Sequence, residues 1–97
     1  MDVFSALSDP TRRELIRNLA EGPATATQLS RQFPISRQAI TKHLAALDEA
    51  GLVDRNASGR EIRYSLRTER LDEVSLWVAE VGASWDQRLA KLKDQIR

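Results

Sequence analysis

A mainly α fold carrying one small β-hairpin is what this sequence predicts, on three observations. Apolar residues recur at three- and four-residue steps over most of the chain; only LVDRNASGREIRYSL, residues 52–66, holds the two-residue alternation of a strand; and proline or glycine stands at most changes of pattern.

Val3, Phe4 and Leu7 form a short apolar helical stripe that stops at Ser8-Asp9-Pro10. Asp9 suits the cap of a second helix, and Pro10 suits its first turn, where a missing N–H costs nothing. That helix is expected to run to about Ala20, with Leu15, Ile16 and Leu19 inward, and to end at Glu21-Gly22-Pro23. Thr25 to Phe33 reads as a third, short helix with Leu29 and Phe33 one turn apart, closed by Pro34. Ser36 is the expected cap of a fourth helix, and Ile35 before it can pack on Ile40 as a hydrophobic staple. Ile40, Leu44 and Leu47 form its buried stripe, and Gly51 is its expected left-handed terminal residue.

The hairpin follows, with a turn expected at Asn56-Ala57-Ser58-Gly59. Its second strand alternates Ile62, Tyr64 and Leu66 against Glu61, Arg63 and Ser65. Leu71, Val74, Val78, Val81, Trp85, Leu89, Leu92 and Ile96 then mark one long amphipathic helix. Two helices joined by a tight turn and followed by a hairpin describe a winged helix-turn-helix. Internal repeats and low-complexity segments are absent.

At 97 residues the chain is expected to be one domain. Its parts are N-terminal helices over 1–20, the helix-turn-helix over 25–50, the wing over 52–66 and a C-terminal dimerisation helix over 68–97. A chain this short buries only about 60 to 68% of its unfolded surface, which leaves room for an oligomer. The absence of cysteine removes disulfides, thiolate metal sites and thiol chemistry together. No apolar run approaches the ~18 residues of a membrane span, and MDVFSALSDPTRRE lacks the order of a signal peptide. The expectation is a cytoplasmic protein.

Net charge is only +1, but its distribution is uneven. From Gly22 to Leu47 there is no acid, while Arg31, Arg37 and Lys42 fall within that stretch. On the fourth helix Arg37, Gln38, Thr41 and Lys42 lie away from the buried stripe, making a polar face without acids. A major groove ~12 Å wide admits a helix whose N-terminal side chains reach base edges and phosphates. Gln38 can pair with adenine and Arg37 with guanine; Thr41 can bond a base or a phosphate, and Lys42 is better placed for phosphate. Ser36 and His43 are assigned supporting contacts to phosphates. The hairpin carries Arg55, Arg60 and Arg63, of which Arg60 at the tip and Arg63 are the wing candidates for the backbone or minor groove. The bland reading of Arg63 is plain strand alternation.

Single-residue chemistry offers little else. His43 is the only histidine, with no cysteine and no carboxylate at ligand spacing, so neither a metal site nor a cofactor is expected. Catalytic motifs are missing too: there is no Gly-rich phosphate loop, G-x-S-x-G or H-E-x-x-H, and an enzyme is not expected. The last helix is too long and apolar for the rest of the chain to cover. A dimer interface is therefore expected from Val3, Phe4, Leu7, Val74, Val78, Val81, Trp85, Leu89 and Leu92, holding two reader helices about one DNA turn, ~34 Å, apart.

The stretches ALSDPTRRELIRNLAEG, LSRQFPISRQAITKHLAALDEAGLV and GREIRYSL, in this order and spacing, resemble the ArsR family of bacterial winged helix-turn-helix transcriptional regulators over nearly the whole chain. That resemblance implies a homodimer binding a palindromic operator in double-stranded DNA, usually as a repressor. The family's serine-rich S-x-x-x-x-S-x-H-L reader pattern corresponds to Ser36, Thr41, His43 and Leu44, with threonine for the second serine. Many members sense metals through a cysteine pair in the first helix of the motif or through histidines and acids in the last helix. Here TATQLSRQF and a histidine-free last helix lack both, which resembles the metal-independent branch; an unidentified small-molecule effector stays open. The rival reading is a winged-helix protein-interaction module whose basic face docks an acidic partner.

Overall fold

The computed structural model describes residues 1–96. Helix α1 (Val3–Ala6) is a single turn capped by Asp2, whose carboxylate accepts from the Ser5 N–H at 2.8 Å. Helix α2 (Pro10–Glu21) starts as expected, with Asp9 Oδ1 accepting from the N–H groups of Thr11 at 2.8 Å and Arg12 at 3.1 Å. Two arginines of α2 reach back to the carbonyls that end α1. Arg12 Nε donates to Ala6 O at 2.7 Å, and Arg13 Nη1 donates to Leu7 O at 2.7 Å. They satisfy acceptors that a helix end leaves open, which ties so short a helix in place.

Strand β1 (Ala24–Thr25) is an addition to the expected architecture. It pairs antiparallel with β3 (Glu61–Leu66), Ala24 opposite Tyr64 and Thr25 opposite Arg63, and β3 pairs in turn with β2 (Val53–Ser58). The sheet therefore has three strands in the order β1-β3-β2. Two residues are too few to display an alternation, so this pairing leaves no periodic trace in the sequence.

Helix α3 (Ala26–Gln32) opens with a capping box: Thr25 Oγ1 accepts from Gln28 N–H at 3.1 Å, and Gln28 Oε1 accepts from Thr25 N–H at 2.8 Å. Phe33, expected inside this helix, lies just beyond it at φ −116°, ψ 142°. The ring of the following Pro34 disfavours helical dihedrals at the residue before it, and this ends the helix one residue early. Helix α4 (Arg37–Glu49) has Ser36 as its cap, accepting from Ala39 N–H at 3.1 Å, and buries Ile40, Leu44 and Leu47. It closes on Gly51 at φ +77°, where the Leu52 N–H returns to Leu47 O at 2.9 Å.

The wing turn lies two residues later than expected. Ser58 pairs with Glu61, so the loop is Gly59-Arg60 alone, with φ +64° at Gly59 and no positive φ at Arg60. This is the type II′ pattern, whose twist matches that of the flanking strands and which wants glycine at the first loop position. Asn56, Ala57 and Ser58 consequently join β2. Of the inward alternation expected along β3, Tyr64 is buried and Leu66 half-buried, whereas Ile62 is exposed.

One core unites these elements: Leu15, Leu29, Ile40, Leu44, Leu47 and Leu52 are fully buried in it, together with Val3 and Val53. Helix α5 (Leu71–Ile96) leaves this body. Leu71 and Val74 pack on the core, and beyond them the helix runs on as an arm, so that the molecule measures 66 × 26 × 23 Å. Among the described residues no helix is long and apolar enough to cross a membrane.

Candidate nucleic-acid interface

Burying Ile40, Leu44 and Leu47 turns the opposite side of α4 outward, and Arg37, Gln38, Thr41 and Lys42 are all exposed there. Ser36 spends an oxygen lone pair on the Ala39 N–H. Its hydroxyl proton remains available to an acceptor such as a phosphate. Thr41 is in the reverse condition: its hydroxyl donates to Arg37 O at 3.0 Å and presents lone pairs outward. His43 is half-buried on the flank facing the start of α2, near enough for its charge to act on Asp9. The Asp9 carboxyl is held below the usual carboxylate range, first by the Arg12 backbone N–H and then by Thr11 N–H, with smaller help from His43 and Arg12; partial desolvation opposes this.

Between α4 and the wing lies an open cleft of about 540 Å³. Arg37 and Thr41 line it from α4, Arg55 and Arg60 from the wing, and Thr25 and Thr27 from the start of α3. Glu61 is its one acid among the described residues. Two of the three wing arginines line the cleft. Arg55 stands opposite Tyr64, and both face the cleft. Arg63 stands opposite Asn56 and Thr25 and is exposed, outside the lining of the cleft. Arg55, which was not singled out among the expected DNA contacts, lines the cleft together with Arg60.

The expected interface residues also separate. Val3 is 1% exposed and belongs to the protomer's own core, which leaves it no surface for a second chain and corrects its assignment. Leu7 and Val74 are half-buried against that core. Phe4 is exposed and stacks edge to face on Trp77. Val78, Val81, Trp85, Leu89 and Leu92 are exposed along α5. No group of three or more histidine, cysteine or acidic side chains that could hold a metal ion occurs among the described residues.

Comparison with known proteins agrees with this geometry. A family model described as a helix-turn-helix domain matches residues 7–56. The transcriptional repressor SdpR of Bacillus subtilis is 38% identical over 77 residues, 79% of this chain and 86% of that protein. The regulator Rv2034 of Mycobacterium tuberculosis is 43% identical over 60 residues, 61% of this chain, which span 56% of its own length. A solved structure of an ArsR-like transcriptional regulator from Rhodococcus sp. RHA1 superposes with a TM-score of 0.77 at 44% identity, covering 95% of this chain and 87% of that one.

Proposed function

On the premise that the chain belongs to the ArsR-like family of winged helix-turn-helix transcriptional regulators, which are not enzymes, we propose that it is a homodimeric, cytoplasmic repressor that binds a palindromic operator and carries no metal-sensing site. One observation carries this reading: the exposed, acid-free face of the first two turns of α4 shares a cleft with the wing arginines Arg55 and Arg60. A duplex with α4 in its major groove brings Arg37, Gln38 and Thr41 to base edges, Lys42 and Ser36 to phosphates, and the wing arginines to the flanking backbone. The homodimer is supported by the apolar side chains left exposed along α5, a patch of the kind soluble monomers rarely leave uncovered. A two-fold pair of reader helices would then match an inverted repeat.

Selection of random duplexes by the purified protein at about 150 mM salt, where non-specific binding is weak, tests the reading. The expected result is enrichment of an inverted repeat with half-sites about 10 base pairs apart. Failure of the folded protein to enrich any sequence would overturn it in favour of a protein-interaction module.

A further inference from the structure

The ring of Tyr64 belongs to the core and the residue is only 5% exposed, yet it also lines the cleft between α4 and the wing. Its hydroxyl makes no hydrogen bond among the described residues and is not sealed from solvent, so it opens into that cleft. A tyrosine buried to this depth normally finds a partner for its O–H, because phenylalanine would fill an apolar site without a polar group to satisfy. Two neighbouring hydroxyls have duties inside the protomer. Thr41 gives its proton to Arg37 O, and Thr25 Oγ1 accepts from the Gln28 N–H. The Tyr64 proton is uncommitted.

We infer, resting on the DNA-binding reading above, that the Tyr64 hydroxyl is itself a DNA contact, donating to an oxygen of one backbone phosphate held between α4 and the wing. Groove geometry places that phosphate. In a duplex the sugar-phosphate ridge separates the major groove from the minor groove beside it, so a helix in the first and a hairpin along the second leave the ridge only the space between them. In this protein that space is the cleft of about 540 Å³. Arg37 lines it from one side and Arg55 and Arg60 from the other, against Glu61 as the one acid among the described residues, so the cleft is cationic and attracts the ridge. Because the Tyr64 ring is held in the core, its hydroxyl loses little freedom on binding, whereas the exposed arginines must be ordered. A phenol O–H is a usual donor to phosphate oxygens and carries no sequence information. The contact therefore positions the duplex and does not select it.

Tyr64→Phe removes the oxygen and keeps the ring, so urea unfolding should give the parent's midpoint or a higher one. The variant should bind duplexes about fivefold more weakly, selected operator and scrambled sequence alike. The slope of log affinity against log salt should stay the same, because the lost donor is neutral, whereas Arg55→Ala should lower it by about 1. Methylphosphonate linkages placed one at a time along a half-site then locate the contact. At one position the parent should lose the affinity that Tyr64→Phe has already lost, so the two proteins converge there and nowhere else. A lowered urea midpoint would assign the hydroxyl to the protomer's own core and overturn the inference, as would equal affinity of the two proteins for both duplexes. So would a Tyr64→Phe loss that stays the same at every methylphosphonate position. A folded parent that binds no duplex even at low salt would instead overturn the DNA-binding reading itself, and this contact with it.

Discussion

The rings of Phe4 and Trp77 meet edge to face, centroids 5.7 Å apart and planes at 70°. This contact joins the single-turn helix α1 to the arm α5, and α1 is itself fastened to α2 by Arg12 and Arg13. An aromatic pair in this geometry contributes about 1 kcal/mol beyond the area it buries. Phe4→Ala should therefore lower stability by about 1 kcal/mol in urea unfolding while leaving the α4 face in place. An unchanged urea midpoint with unchanged tryptophan emission would mean that the two rings do not hold the arm.

Gln38 and Lys42 are both exposed on α4, yet they should fail differently. Gln38→Ala should lose discrimination at one base pair of a selected operator, a loss of about 1–3 kcal/mol at that position. Lys42→Ala should weaken every sequence alike and lower the slope of log affinity against log salt by about 1. Titrations of cognate and scrambled duplexes at several salt concentrations separate the two effects. Equal losses on both duplexes for both variants would remove Gln38 from the base readers.

Thr25 is the one buried polar residue among the described residues, and it serves two structures at once. It caps α3 and stands in β1 opposite Arg63. Thr25→Ala should cost about 1 kcal/mol for the lost cap, and Thr25→Ser should recover most of it. Hydrogen exchange of the Gln28 amide gives a local readout, with faster exchange in the alanine variant alone.

Asp9 makes stability depend on pH in a defined direction. Its folded-state pKa is lowered chiefly by the Arg12 N–H, so the charged form favours folding. That contribution is fully present above the ordinary aspartate value of about 4 and is lost as pH falls through the lowered one. Asparagine caps a helix comparably without titrating, so the advantage of the parent over Asp9→Asn should shrink as pH falls from about 5 toward 2. Parallel urea midpoints for the two proteins across that range would exclude the assignment.

Local signals were legible wherever a side chain acts on its own backbone. Asp9 before Pro10, Ser36 before α4 and Gly51 after it can be read directly, because caps and left-handed terminators depend on a few adjacent residues. The buried stripe of α4 is legible for a similar reason, since one helix turn relates Ile40, Leu44 and Leu47. Strand β1 and the position of the wing turn were not. Strand β1 follows from pairing with residues distant along the chain, since Ala24-Thr25 has no pattern until Tyr64 and Arg63 come beside it, and the wing turn follows from the register of β2 on β3.

The same distinction runs through the candidate interface. By itself the sequence determined that the first two turns of α4 have an acid-free outer face, that a basic hairpin follows the helix and that a long apolar stripe lies near the end of the sequence. Tertiary structure alone decided that Arg55, not Arg63, shares a cleft with Arg37 and Arg60, that Val3 is consumed by the core, and where α5 leaves the body. The physical reason is periodicity. A helix face follows from spacing within one segment, whereas in a strand a shift of one residue exchanges the two faces, so only the register with a partner strand chooses between them.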